Sequence, residues 1–209
     1  AQEELVDALT FLKPEPVDEP WSFGFGKIDI KAGNVDFQHF PRFNSGRLQI
    51  GNKLPDPSLG YINLSKDGGP PGKGETHCVL QWTAPRGGTY HISTNIQIPS
   101  PSSDGVILRI ADKEGNVIKR WQITPGKKHK TGLMPTHLEK GEPVFLIVSA
   151  GKTDHYDSFK WEPVIQESST GTIWEASSAF KTAANKTPES LWIQLAQALL
   201  ASNEFAFLD

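Results

Sequence analysis

At 209 residues the chain is long enough to bury one sizeable core, and a β domain of about 140 residues with helical appendages fits that length. A formal net charge of -3, with Lys, Arg, Asp and Glu interleaved along the chain, supplies no broad basic field, so no nucleic-acid partner and no anionic lipid surface is expected. The single cysteine, Cys78, excludes an internal disulfide framework and a cysteine-based zinc site.

In chain order, Glu3 to Leu12 (EELVDALTFL) sets Leu5, Leu9 and Leu12 on one helical stripe. Lys13 to Pro20 (KPEPVDEP) cannot continue that helix and reads as an extended linker. From Trp21 to Asp67 the sequence is aromatic, Gly-rich and irregular, which predicts short strands broken by turns. A period of two then emerges: Tyr90, Ile92, Thr94, Ile96 and Ile98 fall on one face, and His91, Ser93, Asn95 and Gln97 on the other. Further strands are predicted at Thr76 to Thr83, Val106 to Asp112, Val117 to Ile123, Leu133 to Leu138, Val144 to Ser149 and Phe159 to Ile165, closed by turns such as APRGG, KEGN and EKGE. Cys78, Leu80 and Trp82 alternate, as do Phe159, Trp161 and Ile165, so both sets should fill a core. Gln166 to Thr172 (QESSTGT) reads as a second linker, followed by a short helix around Trp174 to Ala184. Thr187 and Pro188 then supply the N-cap and first-turn proline of a final helix carrying Leu191, Leu195, Leu199 and Leu200.

Strands at this spacing without intervening helices predict an all-β fold, an antiparallel two-sheet β-sandwich of jelly-roll or galactose-binding-like type with short flanking α-helices at both termini. The expected division is 1–20 helix and linker, 21–166 sandwich, 167–209 linker and helical segment. Two amphipathic ends around a β body suggest an insertion into a larger host, with the terminal helices side by side. The longest strongly apolar run of the β region, Val144 to Val148, is far short of a bilayer span, and the N-terminus lacks a basic-then-apolar leader. No membrane insertion is expected, and any export signal should lie outside this stretch.

WSFGFG, LPDPSLGYINL, the stretch Gly68 to Gly72, QWTAPRGGTYHI, SDGVILRI and DHYDSFKWEPVI together resemble the β domain of large multidomain planctomycete-type proteins, where it accompanies cytochrome-c-like haem domains. LAQALLASNEFAFLD is similar to the C-terminus of a helical domain of unknown function in the same proteins. The resemblance implies an exported or surface-associated, extracytoplasmic protein in which the sandwich interrupts a helical domain and contacts other domains of its parent. No CxxCH motif occurs, so no covalent haem is expected on this chain.

For chemistry, no spacing of Asp and Glu assigns a catalytic pair, no serine sits in a GxSxG elbow, and the six histidines form no ligand-pair motif, so no catalytic residue is named. In DHYD, Asp154 and Asp157 can share a Ca²⁺ ion, or Asp157 can cap a turn. Asp104 before Gly105 reads as a ligand-contacting loop or as a turn, and Lys127 to Lys130 (KKHK) as a site for an anionic polymer or as a solvated hairpin tip. Tryptophan and tyrosine faces stack on sugar rings while polar neighbours satisfy the hydroxyls. Trp21 and Tyr156, at strand or loop margins, are the better candidates for exposure, with packing as the favoured alternative for both; Trp192 should pack against the sandwich or a parent domain, and the inward face of the Trp121 strand is ambiguous. The expected ligand-binding set is Asp104, Tyr156, Asp157, Trp21, His91, Asn95 and Gln97, with a glycan as partner. Three readings follow: a noncatalytic carbohydrate-binding module, a docking domain that orients the haem and helical domains, and a glycan hydrolase.

Overall fold

A computed structural model describes residues 19–29 and 33–206. The expected N-terminal helix, Glu3 to Leu12, its pairing with the C-terminal helix, and most of the Pro-rich linker lie outside the described residues. The strands are β1 (Trp21–Asp29), β2 (Asn34–His39), β3 (Arg42–Asn44), β4 (Arg47–Gln49), β5 (Asn63–Ser65), β6 (Gly68–Gly69), β7 (His77–Thr83), β8 (Gly88–Gln97), β9 (Val106–Ala111), β10 (Val117–Ile123), β11 (His129–Lys130), β12 (Met134–Leu138), β13 (Pro143–Ala150), β14 (Phe159–Glu167) and β15 (Ile173–Glu175). Two helices follow, α1 (Ala176–Asn185) and α2 (Pro188–Ala206).

The strands form two sheets. One runs β10-β9-β13-β7-β1-β2; the other runs β11-β8-β14-β6-β5-β4-β3, with β12 added to β8 and β15 to β14. All these ladders are antiparallel, as β7 with β13 and β8 with β14 illustrate. The chain is thus an antiparallel two-sheet β-sandwich. Alternation fixes the inward set: Phe23, Leu80, Trp82, Leu108, Ile110, Leu146 and Val148 from the first sheet meet Leu64, Tyr90, Ile92, Ile96, Trp161 and Ile165 from the second. Trp82 packs edge-on against Tyr90 at 4.8 Å between ring centroids and against Trp174 at 5.5 Å. Cys78 is buried in the same core, and burial raises its thiol pKa far above the ordinary range, so it behaves as a small hydrophobe. Trp121, ambiguous from its strand pattern, is half-buried against this core.

β14 runs through Glu167, and β15 returns to pair Ile173 with Gln166, so the expected second linker is a hairpin turn inside the sandwich. Arg86 clamps that turn by a bidentate ion pair to Glu167 (Nε to Oε1, 2.8 Å), while Thr170 Oγ1 donates to the same carboxylate. α1 buries Ala176, Ala179, Phe180 and Ala184, one helical stripe, and sets the Phe180 ring 5.4 Å from that of Phe23. Thr187 then caps α2, its Oγ1 accepting from Ser190 N at 3.3 Å. Arg42 ties the start of α2 to the sandwich through Glu189 at 2.6 Å. Trp192, by contrast, is 70% exposed and does not pack on the sandwich. Among the described residues no helix is long and apolar enough to cross a membrane.

Candidate functional site

Two loops and the middle strands of the second sheet build a cleft of about 610 Å³. Its floor is β6, where Gly68 and Gly69 squeeze between β5 and β14. A Cβ at Gly68 would lie 2.2 Å from the Phe159 carbonyl oxygen, and one at Gly69 2.0 Å from that of Asn63, so only glycine fits and the floor is bare backbone. Arg47, Ser65, Asp67 and Lys160 stand around that floor.

The first wall is the loop 54–61. Asp56 folds it, its Oδ1 accepting from Ser58 N at 2.9 Å and Leu59 N at 3.0 Å while its backbone pairs with Gly60, and Tyr61 emerges beyond it 57% exposed. The second wall is the loop 151–158. Asp104 accepts from Lys152 N at 3.1 Å, Thr153 N at 3.0 Å and Thr153 Oγ1 at 3.1 Å, and Asp157 accepts from Ser103 Oγ and from Gly151 N at 3.2 Å. Ser103 Oγ in turn accepts from Gly105 N at 2.9 Å. Burial raises the Asp157 pKa, against the hydrogen bonds from Ser103 and Gly151, with the charges of Asp104 and Asp154 adding to the rise. So fixed, the loop presents Asp154, whose Oδ2 would lie 3.4 Å from a Cβ at Gly60, and Tyr156, held at φ 64° and 67% exposed. A tyrosine in the left-handed region costs conformational energy that the surrounding bonds must offset.

The residues expected from sequence therefore separate. Asp154 and Tyr156 line the cleft beside Tyr61. Asp157 also borders it but is 1% exposed with both oxygens engaged, and Asp104 spends its carboxylate on the loop; both position the wall, as their turn readings anticipated. Gly105, at φ 102° and with Ile123 O 2.5 Å from a would-be Cβ, is a tight turn. Trp21 takes the packing alternative and leaves the expected ligand-binding set: it is 3% exposed, because it opens the regular strand β1 and faces the core opposite Trp82. His91, Asn95 and Gln97 lie on the polar face of β8, engaged with Ser168 Oγ (2.8 Å), Glu162 Oε2 (2.9 Å) and Gly126 O (3.5 Å). Gln97 pairs in register with Lys160, so this face runs up to the cleft. Around Asp154 and Asp157, as elsewhere among the described residues, no group of three or more His, Cys, Asp or Glu is placed to hold a metal ion. The basic run folds back, Lys128 pairing with Glu162 at 2.7 Å. Tyr61, Arg47 and Lys160 were not singled out from sequence; the cue was Tyr61 following the turn residues Asp56 to Gly60.

Fold and cleft define an antiparallel β-sandwich with a polar, tyrosine-rimmed loop end. No protein-family model matches the chain, and no curated protein matches it. Among solved structures it is similar to a family 35 carbohydrate binding module from an environmental isolate, at 14% identity over 65% of this chain and 94% of that one, TM-score 0.32. A family 35 carbohydrate binding module from Clostridium thermocellum matches at 13% identity over 59% of this chain and 89% of that one, TM-score 0.31. A PA14 sugar-binding domain from an RTX adhesin matches at 11% over 48% of this chain, TM-score 0.31, and the match spans about half of that chain, 52%. Likenesses this distant carry no argument about what this chain binds.

Proposed function

We propose that the chain is a noncatalytic saccharide-binding module acting at this loop end, within a larger extracytoplasmic protein of the cytochrome-associated type it resembles. The observation that carries the reading is the pair of exposed rings, Tyr61 and Tyr156, on the rim of a cleft whose floor is backbone and whose lining mixes charged and hydroxylic groups with the apolar Leu54, Pro70 and Phe159. A sugar has that dual surface: an apolar face of C–H groups for a tyrosine ring, and hydroxyls for Asp154, Asp67, Ser65, Arg47 and Lys160. Both walls are fixed by hydrogen bonds before a ligand arrives, which lowers the ordering cost of binding. Ca²⁺ enters this proposal only through the exposed loop at Asp154.

A glycan array read with and without Ca²⁺ tests the reading, using the chain, Tyr156→Asn and Tyr61→Ala. Asparagine tolerates the left-handed backbone, so Tyr156→Asn removes the ring without stranding the loop. Each variant should weaken binding about fivefold, the equivalent of about 1 kcal/mol for one lost stacking contact. No hit on any neutral or anionic glycan, or hits indifferent to both substitutions, would shift the assignment to a docking domain. One observation favours that second reading: Trp192, Ile193, Leu199 and Leu200 of α2 are exposed together, and such apolar clusters mark protein contacts.

A further inference from the structure

The turn from α1 into α2 leaves an apolar groove of about 410 Å³ against the sandwich, and the groove shares no residue with the loop-end cleft. Phe23, Phe40 and Leu48, each at most 5% exposed, form its floor. Ala183, Pro188 and Leu191 form its helical wall. They are held over that floor because Phe180 sets its ring 5.4 Å from that of Phe23 and 6.2 Å from that of Phe43, Glu189 N donates to Pro41 O at 3.3 Å, and Arg42 pairs with Glu189 at 2.6 Å. Leu191 stands at the lip, 40% exposed. Apolar walls facing one another across a gap are more stable with an apolar group between them than with water.

Glu19 and Lys186 share the rim. Burial raises the Glu19 pKa, and the Trp21 amide and the charge of Lys186 oppose the rise. Burial also lowers the pKa of His39, the other titratable group of the lining. One acid balanced by one base leaves no net charge to select an ion, so the occupant that fits is apolar. The backbone joins the sandwich at this same rim: Glu19 Oε1 accepts from Trp21 N at 3.3 Å, and Pro20 O accepts from Thr83 N at 3.0 Å. The sequence before Glu19 carries Leu5, Leu9 and Leu12 at helical spacing, the last of them seven residues away. A tether of that length spans at most about 25 Å, nearly the length of all of α2 at about 28 Å, and the groove occupies only the first turns of that helix. So short a connection sets an effective concentration on the order of millimolar, which a second copy of the chain or a free apolar ligand would have to match.

We propose that this groove is the docking site of the chain's own segment Glu3 to Leu12, with the leucine stripe laid over Phe40 and Leu48 and closed by Leu191. The contact joins the segment before the sandwich to the helix after it, and it leaves Trp192 and the second half of α2 outside. The inference stands apart from the saccharide reading, since no residue of the loop-end cleft takes part.

The test is a nitroxide spin label on Thr10→Cys in the full chain, read by NMR. Cys78 is fully buried with its thiol pKa far above the ordinary range, so only the introduced cysteine reacts. The amide signals of Phe40, Leu48 and Leu191 should broaden in the labelled chain. Leu9→Ser should lower the ratio of docked to free segment at least about tenfold, as expected for the loss of one buried leucine, and Leu191→Lys, at a position already partly exposed, should do the same from the groove side. Unchanged amide signals of β7 and β13 show that both variants keep the fold. No broadening at the groove, or broadening that survives both substitutions, overturns the proposal. Broadening that arises only between molecules, in a mixture of spin-labelled chain with isotope-labelled chain free of the nitroxide, overturns it as well and makes the groove a contact between copies.

Discussion

Gly24 illustrates how a single missing side chain shapes this molecule: β2 occupies the space where its Cβ would be, with Gln38 O at 2.1 Å and the Phe37 ring at 2.6 Å. Gly24→Ala should therefore cost about 1–3 kcal/mol, the range for overpacking a tight site, measured as a lowered urea midpoint at unchanged slope. Two side chains give the stability a pH profile. His77 is pushed down from its ordinary 6.5 to about 4, first by burial and then by Arg109 and Lys27. Its unfolded form takes up a proton near pH 6.5 that the folded form refuses until about 4, so stability is complete above that window and falls as pH drops through it. Glu167 is held at about 2, below its ordinary 4.5, first by hydrogen bonding from Arg86 and then from Thr170. Its contribution is present above 4.5 and is lost as pH falls toward 2. Urea unfolding followed from pH 7.5 to 2.5 should show both declines, His77→Gln flattening only the upper one and Glu167→Gln only the lower. A loss that begins above pH 7.5, or a profile untouched by either substitution, would contradict these assignments. At this scale the sequence betrays charge and ring type but not exposure. Trp21 looked marginal because it opens a strand, yet register places it opposite Trp82; Tyr61 looked ordinary, yet the Asp56 turn throws it outward.

Among the elements, strands with alternating or continuous apolar runs closed by turn residues were legible: β8, β9, β10, β12, β13 and β14 fall within about two residues of their expected places. β1 was harder, since two of its outward positions, 24 and 26, are glycines and alternation with nothing reads as irregularity. β6 is two glycines that pair with Ser65 three residues back and with β14 far away in sequence, and the second pairing is one that no local pattern can reveal. β15 was hidden for the opposite reason: Ser, Thr and Gly between Glu167 and Ile173 look like a linker until the Arg86 ion pair closes them into a turn. The helices divide by what they bury. α1 docks through Ala179 and Phe180, whereas Trp192 on α2 stands in solvent. Trp192→Ser should accordingly change the unfolding free energy by no more than about 0.5 kcal/mol, while Trp82→Ala should cost about 3–5 kcal/mol. Denaturation of the two variants side by side checks this, and a loss at Trp192 comparable to that at Trp82 would mean that α2 is packed in solution.

Across the whole molecule, one continuous core joins both sheets, α1 and the Trp82–Tyr90–Trp174 ring cluster, while the loop-end cleft is walled by the loops 54–61 and 151–158. That division explains why the sandwich could be read from a single sequence and its sites only in part: core positions repeat with the strand period, but site residues come from positions such as 47, 61, 67, 154 and 160 that only the closed topology brings together. It also sets a gradient of stability. β7 and β13 are central strands with partners on both edges and are buried along most of their length, so their amides should exchange chiefly when the domain unfolds as a whole. α2 is tied down at its first turn by Thr187 and by the Arg42–Glu189 pair, and its further apolar residues, Leu199 and Leu200 among them, are exposed; its amides should open locally, at a free energy well below the global value. Native-state hydrogen exchange should thus show β7 and β13 at the protection set by global unfolding and the second half of α2 at least a hundredfold less protected, a difference of about 2.7 kcal/mol. Equal protection in the two would require α2 to be covered in solution, and the exposed cluster around Trp192 and Leu200 would then be the face of an interface between copies of the chain rather than a free surface.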